Sequence, residues 1–317
     1  MPKQRLDTLL AERGLFASRS RAAASVMAGE VCVGAGGRRA QKPGELVDPD
    51  ALLTVREPPR FVSRGGIKLE NALERTAIAV EGRRALDVGA STGGFTDCLL
   101  QRGAAEVTAV DVGYGELAYR LRTDPRVRVL ERTNARALTP AMLLAPPARA
   151  GSGRSAGADE EPAISSALTA EAPPSEVSSP QARAASQAGA LPDLATIDVS
   201  FISLAKVLSA VLGCLAEPYD VLALVKPQFE VGRELLGKGG VVRDPGARRG
   251  ALLAVGLAAR SIDTHFGGPP AVLGFRSSGL PGPKGNRETF IWLAEPTRAG
   301  GAQSAEEVER MALQEEP

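Results

Sequence analysis

A chain of 317 residues, 44% of them hydrophobic but only 4% aromatic, is long enough for about two domains and a sizeable core. Its formal net charge of +1 gives no overall signal for nucleic acid, so any such surface must be local. Three scattered cysteines, Cys32, Cys98 and Cys214, argue against a disulfide framework and a metal cluster, and no apolar run approaches the ~18 residues of a membrane span. With no leader-like start, the expectation is a soluble cytoplasmic protein that uses no metal and inserts in no membrane.

Residues 5–55 read as a small α+β unit. Leu6, Leu9, Leu10 and Leu15 space a short amphipathic helix that Arg13-Gly14 closes. Ser18 caps a second helix, with Arg19-Ser20-Arg21 outward and apolar positions that continue through Ala22, Val26 and Met27. Glu30 to Val33, Leu46-Val47 and Leu52 to Val55 read as strands around the Lys42-Pro43-Gly44 turn. Residues 1–60 hold ten Lys or Arg against seven Asp or Glu. Arg5, Arg19, Arg21, Arg38, Arg39 and Lys42 fall at helix starts and turns, where they can line one face. The pieces Arg5-Leu6-Asp7, Gly14-Leu15, Ser18-Arg19-x-x-Ala22, Gly29-x-Val31-x-Val33 and Lys42-Pro43-Gly44 resemble the small RNA-binding domain named after ribosomal protein S-four. The alternative is an ordinary module with solvated arginines.

A short stretch, residues 58–64, reads as a linker stiffened by Pro58-Pro59. Ser63 to Leu73 then reads as a loop entering a helix, with Lys68 in the first turn, where a cation opposes the helix dipole. Strands are expected at Ala85–Val88, Glu106–Val110 and Val127–Leu130, with helices at Gly94–Gln101 and Tyr114–Leu121 between them. That alternation implies right-handed crossovers and a parallel sheet covered on both faces. Between the first strand and its helix lies Asp87-Val88-Gly89-Ala90-Ser91-Thr92-Gly93-Gly94-Phe95, a nucleoside-sized gap before a helix N-terminus. Ser91 stands where a dinucleotide fingerprint wants its second glycine, which favours a cofactor without a pyrophosphate, such as S-adenosylmethionine, over a dehydrogenase cofactor. Asp111, about twenty residues past the glycine turn, is placed to accept from ribose hydroxyls, or to serve as a turn residue.

Residues 145–191 are built from Ala, Ser, Gly, Pro and Glu, and no aromatic residue occurs from Leu121 to Ser200. Such a stretch reads as a disordered insertion in a surface loop, dispensable for chemistry. A strand is expected from Asp193 to Ile202, a helix from Ser203 to Cys214, and a strand from Asp220 to Val225. Pro227 cannot extend the pairing and fixes Lys226 at the carboxyl edge of the sheet, where Asp198 also ends its strand. Past a Gly- and Arg-rich loop and a helix to about Ile262, a hairpin closes the sheet through Val272–Phe275, a Pro281–Asn286 turn and Glu288–Leu293. The single histidine, His265, reads as a surface residue near a helix end, and the tail from Thr297 as a loose helix or disordered.

Five motifs in order, Ser63-Arg64-Gly65-Gly66-x-Lys68-Leu69, Leu86 to Phe95, Asp198-x-Ser200-Phe201-Ile202-Ser203-Leu204, Val225 to Glu230 and Gly285-Asn286-x-Glu288, closely resemble the TlyA, or hemolysin A, family. The resemblance spans nearly everything except the insertion and the tail. It implies an S-four-type RNA-binding domain (1–57), the linker (58–64), an FtsJ-like, Rossmann-like α/β methyltransferase domain (65–296) with an antiparallel final hairpin, and a polar tail (297–317). It implies ribose 2'-O-methylation of ribosomal RNA, with cytidine as the target, by a monomer acting on ribosomal subunits. A Lys-Asp-Lys-Glu tetrad falls on Lys68, Asp198, Lys226 and Glu288, and the cofactor contacts on Asp87, Gly89, Ala90, Ser91, Thr92, Gly93, Gly94, Phe95, Asp111 and Asp198. RNA contacts are expected from Arg64 together with the six cations of the first unit. A ribose hydroxyl is a poor nucleophile, so a group must take or bias its proton; Lys226 is the candidate, either as a base or as an orienting cation. The competing readings are a non-catalytic ribosome-assembly factor and a membrane-lytic hemolysin.

Overall fold

The computed structural model describes residues 2–16, 18–55, 60–145 and 190–316, and the chain divides into two compact units, residues 1–60 and 61–317. The first unit runs β1 (Gln4–Arg5), α1 (Leu6–Glu12), α2 (Arg19–Ala28), β2 (Val31–Val33), β3 (Arg38–Arg39), β4 (Leu46–Val47) and β5 (Leu53–Val55). The Ser18 hydroxyl accepts from the Arg21 amide at 3.2 Å, satisfying one of the free donors at the start of α2. Leu6, Leu9 and Leu10 of α1 meet Ala22 and Val26 of α2 over Val31, Val33 and Val47 in one small core. Strands β3, β2 and β5 form one antiparallel sheet, and β1 pairs with β4. Two-residue strands such as β1 and β3 carry no period, so composition alone gives no sign of them.

The second unit runs α3 (Arg64–Thr76), β6 (Arg84–Val88), α4 (Gly94–Gln101), β7 (Glu106–Val110), α5 (Tyr119–Arg122), β8 (Val127–Leu130), α6 (Pro140–Leu144), β9 (Leu194–Ile197), α7 (Leu208–Leu212), β10 (Asp220–Val225), α8 (Pro227–Glu230), α9 (Pro245–Arg260), β11 (Ala271–Ser277), β12 (Thr289–Ala294) and α10 (Ala305–Glu315). Its seven strands lie in the order β11-β12-β10-β9-β6-β7-β8; β12 is antiparallel to both neighbours and the rest of the pairs are parallel. Alternate residues of β10 go to opposite faces. Leu222 and Leu224 pack with Leu69 and Leu73 of α3 and Leu99 of α4. Val221, Ala223 and Val225 pack with Leu208 and Leu212 of α7 and Leu252 and Val255 of α9. Burial on both faces is why β10 reads as a continuous apolar run from Val221 to Val225.

Four elements differ from expectation. The helix expected over 114–121 is only α5, because carboxylates hold the preceding amides: Asp111 Oδ1 accepts from Gly113 N and Glu131 Oε1 from Gly115 N, each at 2.7 Å. The strand expected to run to Ile202 ends at Ile197, and the helix expected from Ser203 splits into a 3₁₀ turn at Leu204–Lys206 and α7. The acidic tail contains a packed helix, since Ser304 caps α10 by accepting from Glu307 N at 3.3 Å, and Val308 and Ala312 are fully buried. Residues 146–189, the core of the expected insertion, and residues 56–59 of the linker region lie outside the described residues. All three cysteines are buried and unpaired, and burial pushes the Cys214 thiol up to about 11, which leaves it unreactive. His265 is exposed, with its ring against Phe266. No described helix is long and apolar enough to cross a membrane.

Candidate active site

The sheet register brings the site together at one edge. Val88 of β6 and Ile197 of β9 share a rung, so Gly89 and Asp198 leave the sheet side by side, with Asp198 N donating to Val88 O at 2.8 Å. Val225 of β10 pairs with Thr289 of β12, so Lys226, just past one strand, lies beside Glu288, just before the other. The antiparallel direction of β12 delivers its first residue to the edge where the parallel strands deliver their last. Lys68 comes from α3, whose apolar face covers that end of the sheet.

The four polar side chains form two pairs lining a cleft of about 680 Å³. Lys68 Nζ donates to Glu288 Oε2, and both side chains are almost entirely buried. Lys226 Nζ stands 2.6 Å from Asp198 Oδ1, a charge contact without hydrogen-bond alignment, and donates to Ser200 Oγ at 2.9 Å. Ser200 is a site residue that the sequence reading left unassigned. So is Asn286, which is buried and accepts from Val242 N at 2.9 Å while donating to Gly240 O at 3.0 Å. Glu230 is a third: its Oε1 accepts from Leu204 N at 2.9 Å, tying the loop after Asp198 to the short helix after Lys226. Burial raises the Glu230 carboxyl.

A second cavity of about 460 Å³ shares Gly89, Ser91, Asp198, Ser200 and Phe201 with the first and continues to Asp111, Glu116 and Asn134. Its floor is the glycine turn. Gly89 has φ +87°, and a Cβ there would stand 2.7 Å from Asp198 O, so only glycine allows the two strand ends to approach this closely. Ser91 holds a left-handed conformation at φ 47° while its amide donates to Asp111 Oδ2 at 2.7 Å. Ala90, Thr92, Gly94 and Phe95 line the first cavity, whereas Gly93 lies behind it, pressed against Leu117 and Leu121.

Asp87 is placed differently from the other turn residues. It is fully buried below the turn and lines neither cavity; Oδ2 accepts from Thr96 Oγ1 at 2.7 Å and Oδ1 from Thr196 Oγ1 at 3.2 Å. It braces the turn. Burial, reinforced by the Asp198 charge and offset by the threonine hydroxyls, raises its carboxyl from the ordinary 3.8 to about 7. The folded state therefore holds this proton where the unfolded chain releases it, and the resulting stability is lost as pH rises from about 4 through about 7. Asp87→Asn is expected to flatten that decline, as measured by urea midpoints from pH 4.5 to 8; an unchanged slope would show that Asp87 is ionised throughout.

The expected RNA-contact residues are distributed unevenly. In the first unit Arg5 and Arg19 both bind the buried Asp7, at 2.8 and 3.1 Å, and hold its carboxyl far below the usual range. Arg38 pairs with Glu45 at 2.7 Å and Arg39 donates to Ala28 O at 3.0 Å. Arg21 and Lys42 are exposed, and their side chains have no partner among the described residues. In the second unit Arg64 lines the larger cleft and donates to Pro281 O at 2.7 Å. No group of three metal-ligating side chains occurs among the described residues.

A mostly parallel seven-stranded sheet with an antiparallel strand between its last two members, and a glycine turn opening on a cleft at the carboxyl edge, defines the Rossmann-like methyltransferase class. Residues 61–295 match the model of the FtsJ-like methyltransferase family, and residues 4–53 that of the S4 domain. The chain is 44% identical over 318 residues, 99% of each chain, to the 16S/23S rRNA (cytidine-2'-O)-methyltransferase TlyA of Mycobacterium tuberculosis (strain CDC 1551 / Oshkosh). It is 39% identical over 315 residues, 99% of this chain and 94% of the other, to YqxC of Bacillus subtilis (strain 168), described as a candidate rRNA methyltransferase. A solved structure presented as a hemolysin candidate from Streptococcus thermophilus is 36% identical and superposes with a TM-score of 0.60, covering 99% of this chain and 96% of that one. The chain belongs to the TlyA family of methyltransferases, in which an S4 domain precedes an FtsJ-like domain.

Proposed function

We propose that this protein transfers a methyl group from S-adenosylmethionine to the ribose 2'-oxygen of a cytidine in ribosomal RNA. The observation that carries this reading is the meeting of two lysine–carboxylate pairs in one cleft beside the glycine turn. The smaller cavity suits the cofactor in its donor set: Asp111 and Glu116 offer acceptors to ribose hydroxyls, and Asp198, whose Oδ1 also faces the Lys226 amine at 2.6 Å, places a carboxylate beside a cationic group. When bound, the cofactor supplies an electrophilic methyl group.

The residues of the larger cleft act on the acceptor. Asp198 and Ser200 hold the Lys226 amine on two sides and leave its remaining direction for the 2'-hydroxyl. With the cofactor bound, Lys226 would orient the 2'-hydroxyl and bias its proton, which passes to the Lys226 amine if that is neutral and otherwise to solvent as the oxygen takes the methyl group. Lys68, held by Glu288, presents a second cation to the same oxygen region and keeps the site from becoming net acidic. The S4 domain supplies RNA affinity apart from the chemistry.

Labelled cofactor should transfer tritium to purified 30S or 50S subunits that lack the modification, and nuclease digestion should return the label on a ribose-methylated cytidine. Label on a base, or no transfer to either subunit, would overturn the reading.

A further inference from the structure

We propose that the Gly237–Val241 hairpin is a phosphate clamp for the RNA strand whose nucleotide enters the cleft, an inference that rests on the function proposed above. Gly237 N donates to Val241 O at 3.1 Å and Gly240 N to Gly237 O at 2.9 Å, which closes a tight turn with Lys238-Gly239 at its tip. Gly239 and Gly240 have φ of +80° and +75°, values that side chains resist. Leu236 and Gly240 line the larger cleft, so the hairpin stands at its mouth. The buried Asn286 fixes it there, bonding Gly240 O and Val242 N from a position two residues before Glu288.

Arg83, Arg122, Arg248 and Arg298 are each held by a carboxylate. Arg233, Lys238 and Arg243 are exposed and make no ion pair or side-chain hydrogen bond among the described residues, and Glu234 is the lone acid in the stretch from 231 to 243. Lys284, also exposed and unpaired, lines the cleft from the Pro281–Asn286 turn. A ribose admitted for in-line transfer brings a phosphodiester on each side. Inside the cleft each lysine is already paired with a carboxylate, so no free cation is offered to those phosphates there, and they remain at the mouth, where the unpaired cations stand. Binding there breaks no existing pair, and a backbone of glycines permits close approach.

The test uses the full chain with Arg233, Lys238 and Arg243 all replaced by Gln, and Lys238→Glu alone. Equilibrium binding to purified 50S and 30S subunits is measured by filter retention over a series of KCl concentrations. The triple variant is expected to bind about tenfold or more weakly at low salt, with a slope of log K against log salt shallower by about 2, since each lost single-strand phosphate contact contributes about 0.7. Lys238→Glu, in an exposed turn with no contact to lose, is expected to weaken binding in the same direction. Arg310→Gln, in α10, should leave both affinity and slope as in the wild type. Wild-type affinity and slope in both hairpin variants would overturn the clamp. Methyl transfer is read separately: a wild-type chain that binds subunits in this salt-dependent way yet transfers no methyl group would overturn the proposed function and leave the clamp standing.

Discussion

Lys226→Ala is expected to lower the rate of methyl transfer at saturating cofactor and RNA by about 10²–10⁴-fold, the range over which a positioned proton-handling group contributes. Cofactor binding by calorimetry should persist, because the glycine turn and Asp111 do not depend on the amine, with any change in affinity confined to what Asp198 gains or loses when its partner cation goes. Lys226→Arg separates two ways in which the residue can act. A guanidinium stays protonated at any working pH, so it can hold the hydroxyl but cannot accept its proton. If Lys226 takes the proton, Arg is as inactive as Ala; if Lys226 only orients, Arg retains a measurable fraction of the rate. Transfer by Lys226→Ala at the wild-type rate would remove the residue from the site.

The second large effect falls on stability as well as on rate. Lys68 and Glu288 are paired with side chains 9% and 2% exposed, so removing one leaves the other as an uncompensated buried charge. Lys68→Met and Glu288→Gln are each expected to cost about 3–5 kcal/mol in urea unfolding, as for other buried pairs that lose one member. The double variant Lys68→Met/Glu288→Gln should recover most of that loss, since apolar and neutral replacements leave no charge to solvate. Its transferase activity should remain lost. Simple addition of the two single costs would show that the pair is not coupled, and full activity in the double variant would show that it serves stability alone.

The long strands and the glycine turn were legible because burial on both faces writes β10 as an unbroken apolar run from Val221 to Val225, because β6 and β7 are mostly small and apolar before a turn, and because Pro227 marks where β10 must stop. The tetrad was legible only through its resemblance to a family: nothing local to Lys68 or Glu288 says that 220 positions of chain close into one ion pair. Ser200 and Asn286 stood inside two of the family motifs without a role, since a serine after a strand and an asparagine in a turn are ordinary until their partners are known. Asp87 was grouped with cofactor contacts because a motif gives spacing but not depth, and its side chain turns down to Thr96 and Thr196. The arginines of the first unit show the same gap. Arg5 and Arg19 are basic in sequence, but Asp7 already claims them both.

The position of β12 has a consequence for how the molecule is made. Its strand is threaded between β10 and β11, and Glu288 immediately precedes it. A chain emerging from N- to C-terminus therefore completes the glycine turn, Asp198 and Lys226 first, and Lys68 waits for its counter-charge until the closing hairpin has been synthesised and inserted. Competence arrives with the last strand of the sheet, so a chain cut short before Glu288 lacks one half of the Lys68 pair however well its first six strands have formed.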